Sequence, residues 1–232
     1  MIKQDREGER KMKLLLNALV KYTLGLLLVG ALIFLPAGTL GYVNGWLFVA
    51  LLFIPMLIAG FVMYFKSPDF LKKRLDVKEK QAAQKGVLAF SGLMFIAGFT
   101  VAGLDHRFGW SDMPAWVIAA ASALFLAAYA LYAEVMRENA YLSRTIKVEA
   151  GQKVVDTGLY GIVRHPMYAA TVLLFLMIPL ILGSWYALIA FAFYPAAIVV
   201  RLKDEEALLT RELPGYAEYQ KKVKYRILPF IW

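Results

Sequence analysis

The stretch Thr157-Gly158-Leu159-Tyr160-Gly161-Ile162-Val163-Arg164-His165-Pro166-Met167-Tyr168 interrupts a strongly apolar sequence and holds one of only two histidines among 232 residues. Gly158 and Gly161 predict a tight turn. Pro166 excludes His165 from helical geometry, and its fixed φ suits the first position of a new helix. Such a helix start would aim the N–H groups of Met167, Tyr168 and Ala169 back at Arg164 and His165, an electropositive corner suited to a carboxylate or phosphate.

Downstream the chain stays apolar from Met167 to Val200, with Gly183-Ser184 breaking the run in the middle. Each half is about 16 residues, or about 24 Å as helix, slightly short for a full crossing. A short helical hairpin over 167–200 is the simplest arrangement. It returns the chain to the surface it left, so His165 and the charged cluster Arg201-Leu202-Lys203-Asp204-Glu205-Glu206 become neighbours. Arg201 and Glu205 share a helix face at spacing i, i+4.

Upstream, four apolar segments near 14–36, 42–65, 86–104 and 114–132 are long enough to span a bilayer. At 60% hydrophobic residues and a mean hydropathy of +0.58, the chain is an integral membrane protein by composition. The fold class read from this is all-α: a polytopic transmembrane helix bundle of about four full spans plus the C-terminal short hairpin, with a cytoplasmic cofactor pocket. Residues 1–140 form the N-terminal bundle. Residues 141–232 hold the motif loop, the hairpin and a charged tail, all within one structural domain.

Charge orients the bundle. The net charge of +9 is distributed between apolar spans rather than over one soluble face, which argues for membrane lipid and against nucleic acid as partner. Residues 66–85 carry Lys66, Lys72, Lys73, Arg74, Lys78, Lys80 and Lys85 against Asp69, Asp76 and Glu79, a composition that predicts a helix along the membrane surface. Asp105, Arg107 and Asp112 mark the opposite side, together with His106, an ordinary loop histidine on this reading. The positive-inside rule then places both termini and the 134–168 segment in the cytoplasm. With no cysteine and two distant histidines, no metal site is expected.

Gly158-Leu159-Tyr160, Arg164-His165-Pro166-Met167-Tyr168, Arg201 with Glu205-Glu206, Gly215-Tyr216-Ala217-Glu218-Tyr219 and the Arg226 to Pro229 ending together resemble the isoprenylcysteine carboxyl methyltransferase family, which with the phospholipid methyltransferases forms a group of membrane enzymes using S-adenosylmethionine. The resemblance covers roughly residues 145–232. It implies that Gln152, Lys153, Val154, Val155, Tyr160, Arg164, His165, Pro166, Met167, Tyr168 and Glu205 line a cofactor pocket and that Arg201 faces the substrate. Gln152-Lys153-Val154-Val155 stands where members often have His-x-Leu-Val, and Thr145 where some have glutamine. Arg201 and His165 are the implied catalytic residues, the first orienting an acceptor carboxylate, the second a base if the acceptor is a thiol or amine. The acceptor itself is implied to be lipophilic or membrane-embedded.

The chemistry of S-adenosylmethionine agrees with this set. The Pro166 helix start with Arg164 and His165 offers an anion site, Glu205 a counter-carboxylate, and Tyr160, Tyr168 and Val155 an aromatic and apolar slot. Two alternatives stand beside it: a membrane reductase of the sterol reductase type using NADPH, whose tyrosine-rich C-terminal ending is similar, and a non-enzymatic lipid-binding membrane protein.

Overall fold

The computed structural model describes residues 2–75, 82–142 and 148–232, and no strand occurs among them. Helix α1 spans Ile2–Ala37, α2 Val43–Lys66, α3 Pro68–Leu75, α4 Ala82–Phe108 and α5 Ala115–Glu138. A 3₁₀ turn at Gly158–Gly161 precedes α6 (Pro166–Ile181), α7 (Trp185–Phe191), α8 (Tyr194–Glu212) and α9 (Tyr216–Lys222). Among the described residues, five segments are long and apolar enough to cross a membrane: Gly8–Ala37, Val43–Lys66, Lys85–Phe108, Ala115–Glu138 and Trp185–Glu212. The chain is a polytopic helical bundle. Its outer face is apolar, with Leu24, Leu27, Leu28 and Leu35 exposed on α1, as expected of helices whose surroundings are lipid.

Phenylalanines form the centre. Phe191 of α7 meets Phe95 and Phe99 of α4 with ring centroids 5.6 and 5.9 Å apart, and Phe48 of α2 touches Phe99 at 5.6 Å and Phe125 of α5 at 6.0 Å. Phe95 also reaches Phe175 of α6 at 4.8 Å. These edge-on and tilted contacts join five helices through flat side chains that lose little rotamer freedom on packing.

The chain does fold back at Gly183-Ser184, but the two limbs are unequal. Helix α6 has the expected 16 residues, whereas the return limb, α7 and α8, continues to Glu212. Arg201 is therefore in the middle of a helix rather than at its end. The continuation has a physical reason: from Arg201 on, Arg201 and Leu208 seven apart and Leu202 and Glu206 four apart are all buried, so the charged stretch has an inward face of its own. Helix α4 likewise outruns its apolar segment. Asp105 in its last turn is buried, and its carboxylate accepts hydrogen bonds from the Ser111 N–H and hydroxyl, each at 2.7 Å, and from the Ser184 hydroxyl. The hairpin bend is thereby tied to α4. His106 is not in a loop: it lies in the same helical turn and stacks on Tyr42 at 4.0 Å.

Of the basic 66–85 stretch, residues 76–81 lie outside the described residues; Lys66 ends α2, residues 68–75 form α3 with Lys72, Lys73 and Arg74 in its last turn, and Lys85 belongs to the start of α4.

Helices α1 and α4 approach closely at Gly103, where a Cβ would sit 2.5 Å from the Ile33 carbonyl oxygen. Backbone cannot move aside as a side chain can, so Gly103→Val should push the two helices apart and cost about 1–3 kcal/mol. Thermal denaturation of the detergent-solubilised variant checks this, with a clear loss of melting temperature expected.

Candidate functional site

The motif turn forms as its glycines predict. Gly158 has a φ of +56°, and a Cβ on it would lie 1.8 Å from a Glu138 carboxylate oxygen. That carboxylate, at the end of α5, accepts the Leu159 N–H at 2.9 Å and so caps the 3₁₀ turn. The neighbouring Asn139 donates to the Tyr160 hydroxyl at 3.0 Å. Helix α5 thus contributes to a site that the sequence assigns to residues 141–232.

Pro166 opens α6 at its first position, with His165 as the residue before it. The free N–H groups expected there are not all free. Those of Tyr168 and Ala169 donate to the His165 carbonyl at 3.0 and 3.2 Å, because His165, although not helical in φ, ends the first turn with its own oxygen. The anion corner drawn from these N–H groups is accordingly corrected.

Arg164 and His165 turn instead to Glu206 of α8. Arg164 Nε donates to Glu206 Oε1 at 2.6 Å, His165 Nε2 lies 3.2 Å from the same oxygen, and Arg226 Nε donates to Oε2 at 2.9 Å. Arg164 Nη1 donates further to the Val223 and Lys224 carbonyls at 2.8 and 2.9 Å. Arg164, His165 and Glu206 are all buried, which strengthens each pairing. Because a carboxylate accepts only, this contact is a hydrogen bond in the tautomer that has its N–H on Nε2. The backbone repeats the tie: the N–H groups of Arg164 and His165 donate to the carbonyls of Tyr225 and Arg226 at 2.9 and 2.8 Å.

One helical turn away is a second polar group. The buried Tyr168 hydroxyl donates to Glu205 Oε2 and accepts from Arg201 Nε at 3.1 Å. The pair expected along α8, Arg201 and Glu205, is therefore bridged by a residue from α6, and the fold-back that this requires is present.

These groups border a cleft of about 830 Å³, counted out to its open mouth. Gln152, Lys153, Val154, Val155 and Tyr160 line one side, and Arg164, His165, Met167, Tyr168, Arg201 and Glu205 line the floor. Pro166 is the one proposed cofactor residue outside this lining; it is buried and starts the helix. Thr145 lies outside the described residues. The cleft also takes in Asn139, Leu209, Leu213, Tyr216 and Tyr219, to which the sequence reading gave no site role. Burial pushes the Tyr160 and Tyr219 hydroxyls well above the ordinary tyrosine range, so both stay protonated; Tyr219 donates to the Tyr160 carbonyl at 2.7 Å. Glu206 was visible as part of a charged cluster, and its spacing of four from the apolar Leu202 is the signal that turns it inward.

Among the described residues no group of three or more histidines, cysteines or carboxylates could hold a metal ion.

Two curated relatives are Δ14-sterol reductases. The chain is 32% identical over 91 residues to Delta(14)-sterol reductase TM7SF2 of Mus musculus, a match covering 38% of this chain and 22% of that protein. It is 27% identical over 136 residues to the Delta(14)-sterol reductase of Methylotuvimicrobium alcaliphilum, covering 52% of this chain and 32% of the relative. The chain therefore spans a third or less of the length of either. Residues 116–211 match the model of the isoprenylcysteine carboxyl methyltransferase (ICMT) family. That stretch runs from the first turn of α5 to the last turn of α8 and includes the motif turn, Tyr168, Arg201 and Glu205, so it is to the ICMT family that this part of the chain is similar.

Proposed function

We propose that the chain is an integral membrane methyltransferase that uses S-adenosylmethionine and methylates a membrane-associated acceptor. The observation that carries this reading is the meeting of Tyr168, Arg201 and Glu205 at the floor of one cleft, within the stretch that matches the family. The residues present fit the cofactor. Glu205 offers a carboxylate to an ammonium or sulfonium, and Val154, Val155, Leu209 and Leu213 offer apolar surface to a purine. When bound, S-adenosylmethionine supplies an electrophilic methyl group.

The protein's own work is then alignment and exclusion of water. Arg201 is positioned to orient an acceptor carboxylate, with the Tyr168 hydroxyl fixing its Nε. A carboxylate acceptor needs no base. A thiol or lipid amine would need one, and His165 is the candidate for that role. Arg164, Glu206 and Arg226 hold the turn in place. The basic α3 belongs to this end of the bundle, since its Lys73 pairs with Glu149 at 2.6 Å, close to Gln152 on the cleft wall. Asp105 and Asp112 are at the other end. That charge distribution supports a cytoplasmic cleft.

The sterol reductase relatives favour a second reading, a membrane reductase using NADPH in the same cleft. Titrating the detergent-solubilised protein with each cofactor separates the two. Saturable binding of S-adenosylmethionine, followed by label transfer from its methyl group into a lipid, protein or small-thiol fraction, is the expected result. Binding of NADPH alone would transfer the assignment to reduction, and binding of neither would favour a lipid-binding protein without this chemistry.

Adjacent glutamates should separate by experiment. Glu205→Gln should weaken S-adenosylmethionine binding roughly 10-fold or more, the scale of one charged hydrogen bond, with little change in melting temperature. Glu206→Gln leaves two arginines and a histidine around a neutral amide and should destabilise the fold by about 3 kcal/mol, seen as a lowered melting temperature before any ligand is added.

A further inference from the structure

Five tyrosines line the cleft, and four have hydroxyl partners. Tyr141 is bonded to the Gly151 carbonyl, Tyr160 to Asn139, Tyr168 to Glu205 and Arg201, and Tyr219 to the Tyr160 carbonyl. Tyr216 differs. Its hydroxyl is buried and has no hydrogen-bond partner, a condition it shares among the described residues only with Arg74 Nη1, which is not part of the cleft lining. An unmet buried hydroxyl is unfavourable by about 1–3 kcal/mol in a protein interior, so its retention points to a partner that comes with a ligand.

The surroundings say which kind. Tyr216 packs with Leu213 and Tyr219 and with the partly buried Val154 and Leu209, an apolar slot beside the carboxylate floor. Burial and the nearby Glu206 and Glu205 charges push its hydroxyl well above the ordinary tyrosine range. It is therefore a donor, and the same two carboxylates disfavour an anionic partner. What remains is a neutral acceptor on a flat apolar group.

We propose that Tyr216 is a base-recognising residue: its hydroxyl donates a hydrogen bond to a ring nitrogen of the purine of the bound cofactor, with the ring lying among Val154, Leu209 and Leu213. This rests on the methyltransferase reading and adds to it the residue that selects adenine. The helix start supports the placement. Gly215, with a φ of +86°, turns the chain sharply out of α8 and seats Tyr216 at the first position of α9, against the cleft.

The test is isothermal titration of the detergent-solubilised full chain with S-adenosylhomocysteine and with its 1-deaza, 3-deaza and 7-deaza analogues, for the wild type and Tyr216→Phe. The wild type should bind one analogue roughly 3–10-fold more weakly than the parent nucleoside. Tyr216→Phe should bind the parent more weakly by a similar factor and no longer distinguish it from that analogue. Unaltered parent affinity in Tyr216→Phe would overturn the assignment while leaving the methyltransferase reading intact. So would a wild type indifferent to all three deaza substitutions, a result that needs no variant to fold. If the wild type binds neither S-adenosylhomocysteine nor S-adenosylmethionine, the methyltransferase reading fails and the role of Tyr216 fails with it.

Discussion

A single buried carboxylate holds one end of this bundle together. Glu206 receives Arg164 and His165 from the turn before α6 and Arg226 from the segment after α9, on its two oxygens. Two parts of the chain far apart in sequence are thereby fixed to α8. Burying a charge is unfavourable unless it is fully partnered, and here every partner is a cation or a ring N–H with a defined direction. The geometry of the cleft follows from that requirement. Tyr168 is one turn beyond the fixed His165, and Glu205 is adjacent to the fixed Glu206, so the hydrogen bond between them needs no further adjustment.

The opposite end of the bundle uses a different device. Asp105 is surrounded by hydroxyls and an N–H rather than by cations. Neutral donors suffice there because three of them converge on one carboxylate, and they tie the bend at Gly183-Ser184 to α4. With the bend held at one end and Glu206 at the other, α6 and α8 cannot slide along each other. The phenylalanines between them fill the space without directing it, since ring contacts tolerate small displacements that hydrogen bonds do not.

Much of this was legible in the residues. The apolar runs gave the spans, Pro166 gave the start of α6, and Gly183-Ser184 gave the fold-back that joins Arg201 and Glu205 to the motif turn. What was not legible depended on contacts between distant segments. Nothing local marks Glu138 as the cap of a turn twenty residues later, because a carboxylate closing a helix is usually solvated. Arg164 and His165 read as an anion site because sequence shows donors but not the acceptor, Glu206, that takes them up. The ends of α4 and α8 were underestimated for a related reason: hydropathy reports where lipid ends, whereas a helix continues as long as one face has something to bury. Asp105 and Glu206 lie in just such continuations.

The tail segment has a consequence for the order of events during synthesis. The backbone bonds from Arg164 and His165 reach Tyr225 and Arg226, which the ribosome makes about sixty residues later than the turn they secure. Helices α6 to α8 precede them and can enter the bilayer first. A nascent chain halted before Tyr225 would thus have made its membrane helices while the turn beside the cleft is still unfastened, so building the helices and fastening the cleft are separate steps in the synthesis of this protein.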